Sequence, residues 1–251
     1  MSFKNKVVVV TGASAGIGAT IAVEFAKESA KVVIVGRNQV KLKEVAENCK
    51  KLNADCHVVK ADVTNENEAK NVIEETMKKY GKLDVLVNNA GILREGTILD
   101  GGLVKIYDEV MNTNLKSVVV LTSLAAPHLI KTKGNIVNIS SVAGTRVGSP
   151  RFTAYCTSKA GLDIFTRGSA LEMGPHGVRV NSVSPGPVKT EIVRTGGMND
   201  DIGEWKSFTA LGRISEPQEV ADLVLYLASD KAKGITGSNF VCDNGTLVFK
   251  P

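Results

Sequence analysis

Short apolar, β-branched runs recur along the chain at Val7–Val10, Val32–Val35, His57–Val59, Val85–Val87, Ile136–Ile139 and Val178–Val183, with a last one at Asn239–Cys242. Each is long enough for one strand. The runs are continuously apolar rather than alternating, as expected of strands buried on both faces. Between them, apolar residues fall at helical spacing, as in Ile17, Ile21 and Phe25, or Val72, Ile73 and Met77. The longest helical stretches run from about Val104 to Ile130, expected to be broken or bent, and from about Thr153 to Met173, stopped by Gly174-Pro175. A later one covers Glu216 to Ala228. Such β/α alternation predicts an α/β fold, a parallel sheet covered by helices on both faces. No linker, repeat or shift in composition divides the chain, so residues 1–251 are expected to form one domain. Pro185-Gly186-Pro187 opens a stretch rich in Gly, Met and polar residues, including Met198, Trp205 and Phe208, and a substrate lid is expected at about 186–212.

Composition narrows the functions such a fold could carry. Of 251 residues, 43% are hydrophobic and 23% charged, enough for a large core and unlike a disordered chain. The net charge of +5 is dispersed and aromatics are only 5%, so no basic stripe with interleaved rings marks a nucleic-acid surface. Cys49, Cys56, Cys156 and Cys242 form no CxxC pair and have no histidines at ligand spacing, so reduced thiols and no metal are expected. No apolar run could span a membrane, and Met1–Lys6 lacks the features of a secretory signal. A soluble cytoplasmic protein with small-molecule partners, and neither nucleic acid nor membrane, is the expectation.

The segment Thr11-Gly12-Ala13-Ser14-Ala15-Gly16-Ile17-Gly18 joins the first strand to the first helix. Glycines there allow a sharp turn and close backbone approach, and the unpaired N–H groups of a helix start favour an anion such as a pyrophosphate. Gly12, Ser14, Gly16, Ile17 and Gly18 are therefore candidate cofactor contacts. The same residues also spell GxSxG, which would make Ser14 a hydrolase nucleophile. Against that reading, only ten or so residues precede it to supply an oxyanion loop, and His57, His128 and His176 lie in no motif.

Dinucleotide folds place a discriminating residue at the end of the second strand, where a carboxylate grips a free ribose 2′-hydroxyl. Here that strand ends in Gly36-Arg37-Asn38. A guanidinium in place of a carboxylate favours a 2′-phosphate, so NADP is expected over NAD, with Arg37 and Asn38 at the site.

Tyr155 and Lys159 lie four residues apart in a predicted helix, hence on one face, where an ammonium can stabilise a phenolate. The pair alone is a weak signal. Ser140 and Ser141 end the strand Ile136–Ile139, and Asn88-Asn89-Ala90-Gly91 ends the strand before it, at the sheet edge where parallel α/β folds bind ligands.

Together, TGASAGIG at 11–18, NNAG at 88–91, Asn114, Ser141, YCTSK at 155–159 and PGPVKT at 185–190 resemble the short-chain dehydrogenase/reductase family over nearly the whole chain. The resemblance implies a Rossmann-type, doubly wound, seven-stranded parallel sheet and hydride transfer between a nicotinamide and a carbinol or carbonyl carbon. It implies Tyr155 as general acid/base, Lys159 as the group that lowers its pKa and holds the nicotinamide ribose, and Ser141 as the donor to the substrate oxygen. Asn114 would hold a water linking Lys159 to solvent. Asp62 and Val63 match the adenine contact, Asn89, Ala90 and Gly91 the adenosine and ribose side, and Pro185, Val188 and Thr190 the segment over the carboxamide. A homotetramer is also implied.

The chain departs from the family pattern twice. Ala15 stands where many NADP-preferring relatives carry a second basic residue, and Cys242-Asp243-Asn244-Gly245 replaces the usual Asp-Gly-Gly. The leading expectation is an NADP(H)-dependent oxidoreductase interconverting a secondary alcohol and a hydrophobic ketone such as a 3-ketoacyl, steroid or terpenoid compound. The alternatives are an NAD-dependent dehydrogenase of the same family and a cofactor-binding regulatory protein without turnover.

Overall fold

The computed structural model describes residues 2–197 and 202–249; Met198, one of the expected lid residues, lies outside them. Seven strands, β1 (Val7–Thr11), β2 (Lys31–Gly36), β3 (Cys56–Lys60), β4 (Val85–Asn88), β5 (Asn135–Ile139), β6 (Arg179–Pro185) and β7 (Asn239–Cys242), form one sheet in the order 3-2-1-4-5-6-7. All six pairings are parallel. The order reverses between β1 and β4, and such a switch point opens a crevice at the carboxyl ends of the strands.

Burial on both faces explains the unbroken apolar runs. Val8, Val10, Val32 and Ile34 point to the face covered by α1 (Gly16–Lys27), α2 (Gln39–Lys50) and, late in the chain, α8 (Pro217–Ala228), where they meet Ile21, Phe25, Leu42, Val220 and Val224. Val9, Val33 and Val35 point to the other face, against Val72 of α3 (Glu66–Tyr80), Leu121 and Leu129 of α5 (Ser117–Thr132) and Ala170 of α6 (Thr153–Met173). Successive strand residues alternate between these two cores, so both parities must be apolar.

Local signals set the helix ends. Asn65 caps α3 by accepting from the N–H groups of Asn67 and Glu68, and Gly81 ends it at φ 71°. The long stretch expected at Val104–Ile130 is interrupted as foreseen: α4 (Leu103–Met111) passes through a π turn at Asn112–Lys116 into α5. The helix expected over Thr153–Met173 has those bounds as α6. Between β6 and α8, the short helix α7 (Ile192–Thr195) and a 3₁₀ turn at Ile202–Phe208 lie over the carboxyl edge of the sheet. A parallel bridge between Val188 and Ser215 closes the base of this segment. Among the described residues, no helix is long and apolar enough to cross a membrane.

Candidate active site

Four strands deliver their following loops to one crevice: the glycine loop after β1, Asn89 after β4, Ser141 after β5, and Pro185 at the end of β6. Two connected spaces open there. A groove of about 310 Å³ runs over the glycine loop, lined by Gly12, Ser14, Gly16, Ile17, Arg37 and Asn38 and by Asp62, Val63, Asn89, Ala90 and Gly91. A larger cavity of about 560 Å³ adjoins it, and Ile17, Asn89, Gly91 and Thr190 wall both. Ser141, Tyr155, Lys159, Pro185 and Val188 line the larger cavity.

The glycine loop has the form an anionic ligand requires. Gly12 and Gly16 adopt φ 63° and 55°, which side chains tolerate poorly, and a Cβ on Gly12 would sit 2.9 Å from Ala90 Cα. Helix α1 has no side-chain cap, since Ala15 holds the N-cap position, so its leading N–H groups stay open toward the groove. Gly18 lines neither space. A Cβ there would lie 2.5 Å from the Gly12 carbonyl oxygen and collide with Asn89 Nδ2, so its hydrogen lets helix and loop close together. Asn89 completes the loop by donating to the Thr11 and Gly12 carbonyls at 2.9 and 3.3 Å.

At the far end of the groove, Arg37 is two-thirds exposed and approaches Asp62 at 3.7 Å. Asp62 does not cap α3. Its Oδ1 accepts from the Thr64 amide and hydroxyl at 3.0 and 2.8 Å, which outweighs partial burial and holds the carboxyl below its ordinary range. The Asn38 side chain is used as the cap of α2, accepting from the Lys41 N–H at 3.1 Å.

Deeper in, Lys159 is buried and donates to the Ile139 carbonyl at 2.8 Å, with its Nζ 5.7 Å from the centre of the Tyr155 ring. Burial draws its pKa down to about 8, opposed by the charge of Asp163 one turn along α6. Burial also pushes the Tyr155 phenol up to about 12, while hydrogen bonding with Ser141 pulls it partly back. Burial therefore outweighs the Ser141 hydrogen bond at the phenol, while the Lys159 ammonium, charged at neutral pH, is engaged by Ile139. Ser141 Oγ accepts from Ala143 N at 3.1 Å as the cap of a 3₁₀ turn at Val142–Gly144.

Asn114, in the π turn, is buried. Its Oδ1 accepts from Ile92 N at 2.8 Å, and its Nδ2 donates to Ile92 O at 2.9 Å and to Ser158 Oγ at 3.1 Å. Gly91 lies against both Asn114 and Lys159: a Cβ there would be 3.4 Å from Asn114 Oδ1 and 3.7 Å from Lys159 Nζ.

Sequence reasoning missed several walls. Arg94 and Glu191 line the groove, and Leu93, Arg146, Phe152 and Phe249 line the larger cavity. They lie outside the motifs and reach the crevice only through topology; the apolar end of the chain at Leu247-Val248-Phe249 was the one available hint. Trp205 and Phe208 line the cavity, and Trp205 also packs on Phe152 with ring centres 6.3 Å apart. Ser14 makes no hydrogen bond to a histidine among the described residues. Cys156 is buried and its thiol is held above the ordinary range by that burial, so it is not poised as a thiolate.

A family model described as enoyl-(acyl carrier protein) reductase matches residues 12–246. A 3-oxoacyl-[acyl-carrier-protein] reductase, FabG, of Thermotoga maritima is 36% identical over 99% of this chain and all of its own. A meso-2,3-butanediol dehydrogenase of Serratia marcescens is 38% identical over 98% of this chain and 96% of its own. The crystal structure of a short chain dehydrogenase from Burkholderia cenocepacia in complex with NADP superposes with a TM-score of 0.91 at 31% identity, covering 98% of this chain and all of that one. With the seven-stranded sheet and the crevice described above, these matches establish that the chain belongs to the short-chain dehydrogenase/reductase family, as an oxidoreductase acting on CH–OH groups with a nicotinamide cofactor.

Proposed function

We propose that the protein interconverts secondary alcohols and ketones of apolar character with NADP(H), the dinucleotide lying in the groove and the substrate in the larger cavity. The observation that carries this reading is the convergence of Tyr155, Ser141 and Lys159 on the larger cavity, which shares Asn89 and Gly91 with the groove, beside walls built from Leu93, Phe152, Trp205 and Phe208. When bound, NADPH supplies the hydride. Tyr155, protonated across the neutral range, donates its proton to the substrate oxygen, which Ser141 Oγ steadies. Lys159 orients the ribose and stabilises charge that develops on the phenol. The Asn114 side chain already spends both N–H groups on Ile92 and Ser158, so the water of the proton relay falls to the main chain of the π turn. Pro185, Val188 and Thr190 are assigned to the carboxamide end, and Thr190 lies where a Cβ on Gly16 would be 3.1 Å from its Cγ2, the lid base closing on the glycine loop.

The NADP preference is supported by Arg37, which stands open at the groove end beside the start of α2, and by the NADP bound to the Burkholderia cenocepacia relative. A homotetramer belongs to the same reading. Ile164 and Leu171, two turns apart and exposed on α6, form with Val104 and Tyr107 of the adjoining α4 an apolar stripe suited to a second copy.

The decisive experiment pairs turnover with cofactor binding. Tyr155→Phe is expected to lower kcat for ketone reduction by at least about a hundredfold, the scale of general acid catalysis, while NADPH still binds by fluorescence titration. Undiminished turnover would remove Tyr155 from its role, and NADPH binding without turnover in the unaltered protein would make it a binding module.

A further inference from the structure

The larger cavity has an electrical asymmetry that the reaction itself does not require. Among the described residues three cations line it, Arg146, Arg151 and Lys159, and no Asp or Glu does. Two of the three are accounted for. Lys159 is spent on Ile139 beneath the reacting atoms, and Arg151 pairs with Glu95 at 2.8 Å while lying over the Phe152 ring.

Arg146 is different. Its Nη1 donates to the main-chain carbonyls of Thr246 and Phe249, both at 3.1 Å, and among the described residues no carboxylate pairs with it. A guanidinium has five N–H donors, and most of those on this exposed side chain at the cavity rim are left for a ligand or water. Its position is also fixed relative to the chemistry. Ser141 Oγ caps the Val142–Gly144 turn, and Arg146 N returns to Val142 O at 3.0 Å, so one turn joins the oxygen-binding hydroxyl to the guanidinium.

Building on the proposed carbonyl reduction, we infer that the substrate carries an anionic group, a carboxylate or a phosphate, at the end remote from its ketone, and that Arg146 reads it. The rest of the substrate is apolar, packed between Trp205 and Phe208 of the lid and Leu247 and Phe249 of the C-terminal tail. A planar fork accepts either anion in a two-point contact, which a neutral ketone of the same shape cannot supply.

The test uses benzoylpropionate, its methyl ester and the corresponding phosphonate, with the full-length protein and NADPH. Trp205, the sole tryptophan, reports binding by its fluorescence independently of turnover. The acid or the phosphonate is expected to show kcat/KM at least roughly tenfold above the ester, as one charge-assisted contact would give. Whichever anion is favoured identifies the group. Arg146→Gln should bring the ratio of acid to ester close to one, and Arg146→Lys should keep part of it. Equal values for acid and ester in the unaltered protein, or an equal loss for both in Arg146→Gln, would overturn the inference and leave Arg146 as a clamp for the tail. If none of the ketones is turned over yet the anions quench Trp205 more tightly than the ester in an Arg146-dependent way, the inference stands and the proposed reaction falls.

Discussion

Lys159 and Tyr155 titrate in opposite senses, and pH should separate them. Burial leaves the ammonium near 8 and the phenol near 12, so at neutral pH the phenol holds its proton and the lysine its charge. The kcat/KM for ketone reduction reports the free enzyme, and it should be flat through neutrality and fall as pH rises past about 8, when Lys159 is discharged. The negative charge of Asp163 opposes that discharge from one turn away, while its own carboxyl, raised by burial, bonds Ser182 Oγ and Asn239 Nδ2. Asp163→Asn should therefore move the break to lower pH, and a pH–rate profile that stays in place would remove the electrostatic role. Arg37 offers a second test at this scale. Replacing it with Asp should reduce kcat/KM for NADPH at least about tenfold relative to NADH, since a charge-assisted contact becomes a repulsion; steady-state kinetics with both cofactors would show whether the ratio moves.

Among the elements, the join between the glycine loop and α1 is the tightest. Gly18→Ala would drive a methyl group into the Gly12 carbonyl and Asn89. Overpacking of this kind costs about 1–3 kcal/mol, a loss of several degrees in Tm measurable by calorimetry. The elements themselves were largely legible. Apolar runs buried on both faces marked the strands, and Gly174-Pro175 ended α6 where it was expected. The π turn was foreseen only as a bend, because a register change of one hydrogen bond leaves no mark in apolar spacing. The glycine loop, Asn89, Ser141 and Pro185 could be read because each sits at a strand end, and Tyr155 and Lys159 because they share one face of α6. Arg146 and Phe249 could not, since they are separated by over a hundred residues and joined by main-chain carbonyls, which carry no residue code. Spacing on a helix puts Tyr155 and Lys159 on one face but does not reveal that Ile139 will engage the amine.

For the whole molecule, α6 has two jobs on opposite sides. Its inner face carries Tyr155 and Lys159, and its outer face exposes Ile164 and Leu171. Leu171→Glu should convert the proposed homotetramer to smaller species in light scattering after size exclusion, with little loss of Tm, since that side chain lies outside the core. An unaltered mass would exclude this stripe as the interface. The tail has a consequence of a more practical kind. Asn244 Nδ2 bonds Ser215 Oγ and its carbonyl receives Leu211 N, so the tail is stitched to the segment between β6 and α8 before Phe249 reaches the cavity wall. Added bulk at Phe249 is therefore expected to weaken substrate binding, whereas added bulk ahead of β1 meets the opposite edge of the sheet.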